Sequence, residues 1–145
     1  MCDNASFYTR LDWKAQPGWR DDAATLLWWD TQPADLYHEA MDGDADNRIA
    51  LVGLSLFLHL HSNSPIIWAK GIDFDPPILA DLYRRLELPI PWKYNNVRDF
   101  RTVKKIFDWI SRPRSPNEMH NALHDAQFQA EELLEIAKAF PLQLD

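Results

Sequence analysis

Apolar positions fall along this chain in short blocks whose spacing alternates between helical and extended, each block closed by proline, glycine or an acidic turn. SFYTRLDW, aromatic and Thr-bearing, predicts a short strand followed by a QPG turn. DDAATLLWWDTQ predicts a helix closed by Pro33, and ADLYHEAMDG a second short one ending near Gly43. A longer helix is expected from Arg48 to about His61, stopped by SNSP. IIWAK, bounded by Pro65 and Gly71, predicts a short buried strand. PPILADLYRRLELP carries prolines in its first turn and apolar residues at Ile78, Leu79, Leu82 and Leu86, the pattern of a helix packed on a sheet.

WKYNNVRDF is mixed and turn-rich, after which RTVKKIFDWI recovers helical spacing through Val103, Ile106, Phe107 and Ile110. The two prolines of SRPRSPNEM require a loop. A last helix is expected to start near Asn121 and to bury Leu123, Ala126, Ala130, Leu133 and Ala137, in steps of three and four. The order of elements is that of an α/β domain.

Size and composition narrow this picture. A chain of 145 residues, 46% hydrophobic, without repeat, low-complexity tract or long linker, is expected to form one domain over residues 1–145 that buries about two thirds of its unfolded surface. The apolar run Ile49 to Leu60 is too short to span a bilayer, and MCDNAS has no basic and apolar regions of an export signal. Cys2 is the single cysteine, which excludes an internal disulfide and a zinc ribbon and fits a reducing cytoplasm.

The net charge of −7 argues against a general nucleic-acid coat, though not against an enzyme that gathers carboxylates around divalent metals. Against that acidic background, Lys93 to Arg114 holds seven basic residues (Lys93, Arg98, Arg101, Lys104, Lys105, Arg112 and Arg114) and two acidic ones, Asp99 and Asp108. Such a stripe suits a phosphate backbone; a solvated helix face explains it equally well.

His120 and Asp125, five positions apart in HNALHDAQFQAEEL, stand at the mouth of the last helix. Composition alone makes about half of one such coincidence expected. Asp125 lies about 100° from Ala126 around the helix, beside the apolar stripe, with His120 in the preceding loop. Other features read as structural. His59 and His61 lack the spacing that puts two ligands on one helical face, and the adjacent Trp28 and Trp29 fit packing better than base stacking.

Four regions together resemble one family. GIDFDPPIL (71–79), LPIPWKYNNVRDFRTV (88–103), HNALHDAQFQAEEL (120–133), and FYTRLDW with TLLWWDTQ look like the DEDDh 3'-5' exonucleases. They are most similar to the small bacterial and phage exoribonuclease group, relatives of RNase T with the RNase H-like fold. The likeness runs in order from about Phe7 to Phe140. It implies that Asp75, in FD, is the carboxylate of the second motif, and that Asp125 and His120 form the third. In that family the acids bind metal and the histidine acts as base. Asp75 also suits the start of the Pro76-Pro77 helix as its N-cap.

Those residue types match the reaction such a family catalyses. Two divalent ions about 4 Å apart turn a water into hydroxide and stabilise the leaving oxygen of a phosphodiester. Mg²⁺ or Mn²⁺ takes hard oxygen ligands, and the near-neutral pKa of a histidine suits the proton of the attacking water. The resemblance implies single-stranded RNA or DNA as partner, with Lys70, Phe74, Arg98, Arg101, Lys104 and Lys105 as candidate contacts.

The family's first motif, Asp-x-Glu on a strand, occurs nowhere in the 145 residues. Lys70 and Pro76 stand where the family commonly has Asn, and Asp73, two residues before Asp75, offers an extra carboxylate. The expectation is therefore an RNase H-like α/β fold with helices on a mixed sheet, lacking its first one or two strands, with an exposed edge or apolar face that a homodimer would cover. A chain so built is expected to trim 3' ends poorly by itself. The alternative is an inactive relative that binds nucleic acid or a protein partner.

Overall fold

The computed structural model describes residues 5–15, 20, 22–110, 113 and 121–140, which fall into two compact units divided after Phe57. In the first unit, α1 (Ala23–Trp29) starts at Asp22, whose carboxylate accepts the N–H of Thr25 at 2.8 Å. α2 (Ala34–Met41) follows Pro33, as the sequence predicts. α3 (Asn47–His61) begins in this unit and buries Asn47, Ala50 and Leu51. Phe7 packs against Phe57, with ring centres 5.9 Å apart, and closes over Gly53.

SFYTRLDW is not a strand of a sheet. A single parallel bridge joins Leu11 to Ala45, and side chains hold the rest: the Tyr8 hydroxyl donates to Glu39 Oε1 at 2.6 Å, and Arg10 pairs with Glu39 Oε2 at 3.2 Å. Aromatic and Thr content favours extended backbone, but a strand needs a continuous partner, and here the neighbouring backbone turns away after one residue. Gly43 permits the close approach, because a Cβ there would lie 2.3 Å from the Leu11 carbonyl oxygen.

The second unit contains β1 (Ile67–Ala69), α4 (Asp75–Arg85), β2 (Val97–Asp99), α5 (Phe100–Ile106) and α6 (Ala122–Ala139). β1 and β2 pair in parallel, in the register Ile67 to Val97, Trp68 to Arg98 and Ala69 to Asp99. The architecture is α/β and rich in helix, and among the described residues the sheet is parallel where a mixed one was expected. α4 lies in the connection, and a crossover of that kind allows parallel pairing. β2 went unread in the sequence because its three residues, Val-Arg-Asp, alternate too briefly to show a period.

The core of this unit is formed by Ala80, Leu82, Tyr83, Trp92, Phe100, Leu133 and Ile136, with Tyr83 edge-on to Trp92 at 5.8 Å. α4 buries Pro76, Ala80, Leu82 and Tyr83, while Ile78, expected inside, is exposed. Its end is a hydrogen-bonded turn: Leu88 N–H reaches the Tyr83 carbonyl at 2.9 Å and Glu87 N–H the Arg84 carbonyl at 3.0 Å, with Glu87 at φ 54°. α6 starts at Asn121, as predicted, whose side chain accepts from His124 N–H. Its buried residues are Glu132, Leu133 and Ile136, while Ala126 and Ala130 face outward. The buried face is therefore turned away from the predicted alanine stripe and toward the side that carries Asp125. No helix among the described residues is long and apolar enough to cross a membrane.

Candidate active site

The two parallel strands end side by side at Ala69 and Asp99. Sites in open parallel sheets form beyond the carboxyl ends of the strands, where the chain leaves the ladder and side chains become available. Beyond β1, five residues lead to Asp75. Gly71 has φ 105°, and a Cβ there would stand 3.2 Å from Arg101 Nη2 and 3.4 Å from Asp73 Oδ1. Its backbone conformation requires glycine at this position, and a side chain there would also press on Arg101.

Phe74 is the N-cap of α4 and makes no side-chain cap hydrogen bond, so Asp75 is the first helical residue and not the cap. Pro76 and Pro77 carry no N–H, which lowers the number of donors needing a cap. Asp75 can then present its carboxylate elsewhere.

Asp99 organises the other side. It ends β2 and caps α5: Oδ1 accepts the N–H of Arg101 at 3.2 Å, and Oδ2 accepts the N–H and hydroxyl of Thr102. Oδ1 also accepts the N–H of Gly71 at 3.1 Å, so one carboxylate ties the loop after β1 to the start of α5. The hydrogen bond from the Thr102 hydroxyl, with those from the three backbone N–H groups, outweighs the opposing desolvation and keeps the Asp99 carboxyl below the usual carboxylate range. In the sequence Asp99 stands only as one of two acids within the basic run. The signal that identifies it is Asp directly before a helical period, with Thr three positions on.

Asp75 behaves in the opposite way. Although the residue as a whole is exposed, packing around its carboxyl raises its pKa, and the Arg101 guanidinium pulls it partly back. Arg101 also donates to the Lys70 carbonyl at 3.4 Å. Lys70, Asp75 and Arg101, three of the residues predicted from the sequence, are thus neighbours, joined by Gly71, Asp73 and Asp99.

α5 packs on both β1 and α6. Lys104 pairs with Glu132 at 2.7 Å, and Phe107 stacks on Phe140 with ring centres 4.6 Å apart. Asp125 occupies the first turn of α6, half-buried, with Oδ1 shut off from solvent.

The remaining predicted contacts divide. Lys104 is turned inward to Glu132 and the Ile110 carbonyl. Arg98 folds back on its own turn, donating to Asn95 O at 2.6 Å and Val97 O at 3.3 Å. Lys70 and Lys105 are exposed, and Phe74 is 65% exposed. His120, Arg112 and Arg114 lie outside the described residues.

Asp73, Asp75 and Asp125 are hard oxygen donors, the type Mg²⁺ or Mn²⁺ takes, and a cation would relieve the desolvated Asp75 carboxyl. Among the described residues, however, no three His, Cys, Asp or Glu side chains converge. The donor type fits such an ion, and completing a site requires ligands beyond these.

The family profile of the 3'-5' exoribonuclease Rv2179c-like domain matches residues 3–137. The chain belongs to this 3'-5' exoribonuclease family. Neither the curated proteins nor the solved structures give a match.

Proposed function

We propose that the chain is a metal-dependent 3'-5' exonuclease of the DEDDh type, acting on single-stranded RNA through an RNase H-like fold. The observation that carries this reading is the meeting of Asp75 and Arg101 beyond the ends of two parallel strands. Asp75 and Asp125 would hold Mg²⁺ or Mn²⁺, and His120 would act as general base. The ion, when bound, supplies the polarisation of water and phosphate that phosphodiester hydrolysis requires. The chain's own residues orient the strand: Lys70 and Lys105 offer charge to the backbone, and exposed Phe74 offers an aromatic face to a base.

A second reading, an inactive relative that binds nucleic acid, is favoured by the lack of three converging metal-binding side chains among the described residues. One assay separates the two. A 5'-labelled single-stranded RNA incubated with the chain in Mn²⁺ is expected to shorten from its 3' end only slowly, and to remain intact in EDTA or with Asp75→Asn or Asp125→Asn. Binding without shortening in every condition would establish the second reading. A DNA strand of the same sequence tests the sugar preference.

A further inference from the structure

We propose that Arg101 takes the phosphodiester of the 3'-terminal linkage, a role that rests on the exonuclease reading above and names the group that seats the substrate's last phosphate. Three observations lead to it. Arg101 sits at the carboxyl ends of β1 and β2, beside Asp75, where a nucleic acid end must arrive if Asp75 belongs to the reacting site. Its backbone is fixed by Asp99, and its guanidinium lies over Gly71, a space that a Cβ would intrude upon at 3.2 Å. Of its five N–H donors, the Lys70 carbonyl receives one, through a long contact of 3.4 Å that a charged acceptor easily displaces.

The neighbouring cations are differently engaged. Arg98 is bent onto Asn95 and Val97, and Lys104 is paired with Glu132. Arg101 is the basic side chain that combines a planar fork with a place beside the carboxylates. That place matters electrostatically: an incoming phosphate is repelled by Asp73 and Asp75, and a guanidinium next to Asp75 offsets the repulsion where it is strongest. A lysine would supply the charge without two parallel donors.

The test is equilibrium binding of a dye-labelled single-stranded oligoribonucleotide in EDTA, followed by anisotropy, with the last linkage either natural or an uncharged methylphosphonate. Wild type is expected to bind the methylphosphonate about tenfold more weakly, the scale of one hydrogen-bonded ion pair. Arg101→Gln is expected to bind the natural strand about tenfold more weakly and to lose nothing further on the methylphosphonate. Its salt dependence should be shallower by about 0.7 in the log–log slope. Lys105→Gln, a backbone contact, should still feel the methylphosphonate, and Arg101→Lys should fall between wild type and Arg101→Gln. Wild type that binds the natural strand but is indifferent to the methylphosphonate overturns the proposal and leaves the exonuclease reading standing, whatever Arg101→Gln does to folding. Wild type that binds no single-stranded oligonucleotide removes both.

Discussion

The carboxylate of Asp99 accepts the backbone N–H of Gly71 at 3.1 Å while capping α5, so a single side chain fixes the loop that leads to Asp75 against the helix that carries Arg101. Replacing Asp99 with Ala removes the cap and the tie together. The expected cost is about 1 to 2 kcal/mol of stability, read from urea or thermal unfolding. Binding of single-stranded RNA should weaken as well, because Arg101 loses its anchor. Asp99→Asn, which keeps an acceptor, should recover part of both. Unchanged stability in Asp99→Ala would show that the tie contributes nothing.

The pair Lys104 and Glu132 joins α5 to α6 with Glu132 side chain only 6% exposed and Lys104 25%. Lys104→Ala removes the paired cation from a buried carboxylate and is expected to cost about 3 kcal/mol, at the lower end for broken buried pairs because Lys104 keeps some solvent. The double variant Lys104→Met with Glu132→Leu should lie within about 1 kcal/mol of wild type, since no charge is then left buried. Chemical denaturation of the three proteins separates these outcomes.

Asp75 predicts a pH-dependent gain. Its folded pKa is raised above the ordinary 3.8 by desolvation, more than Arg101 lowers it. The ionised form is therefore disfavoured in the fold, and Asp75 costs stability above its folded pKa. Below the unfolded value both states hold the proton and the cost vanishes. Asp75→Asn should accordingly raise Tm at pH 7 and lose that advantage as the pH falls through the carboxylate range. A Tm gain that persists at pH 3 would contradict this assignment.

Glu87 holds the left-handed position of the turn that ends α4, at φ 54°. A side chain there costs about 1 to 2 kcal/mol, part of which glycine gives back through its freer unfolded chain. Glu87→Gly should stabilise the protein by about 0.5 to 1 kcal/mol without altering nucleic-acid binding, as thermal unfolding and anisotropy would report.

Much of this architecture was readable in the residues. The helices from Ala23, Ala34, Asn47, Asp75, Phe100 and Ala122 announce themselves by period and by flanking proline, Asp or Asn, because those signals are local. What escaped was set by partners distant in sequence. The N-terminal segment reads as a strand by content, but its neighbour supplies only the bridge to Ala45. The buried side of α6 includes Glu132, paired with Lys104 across 28 positions, a contact that no period encodes. Asp125 is half-buried, in keeping with its place beside the apolar stripe. At the site, Asp75, Lys70 and Arg101 were named from the chain. Asp99 was not, because its role lies in a hydrogen bond to Gly71, across 28 positions.

The three-residue ladder between β1 and β2 also has a kinetic consequence. Ile67 pairs with Val97, thirty positions later, so the chain must close a long loop before the ladder returns anything. Parallel pairings of this kind form late, after the local helix between them has shortened the search. α4 therefore comes first, and the strands with the Asp99 contact to Gly71 follow. The groups that surround Asp75 are therefore expected to assemble only once that long loop has closed, so that a variant that delays closure delays the appearance of the site itself.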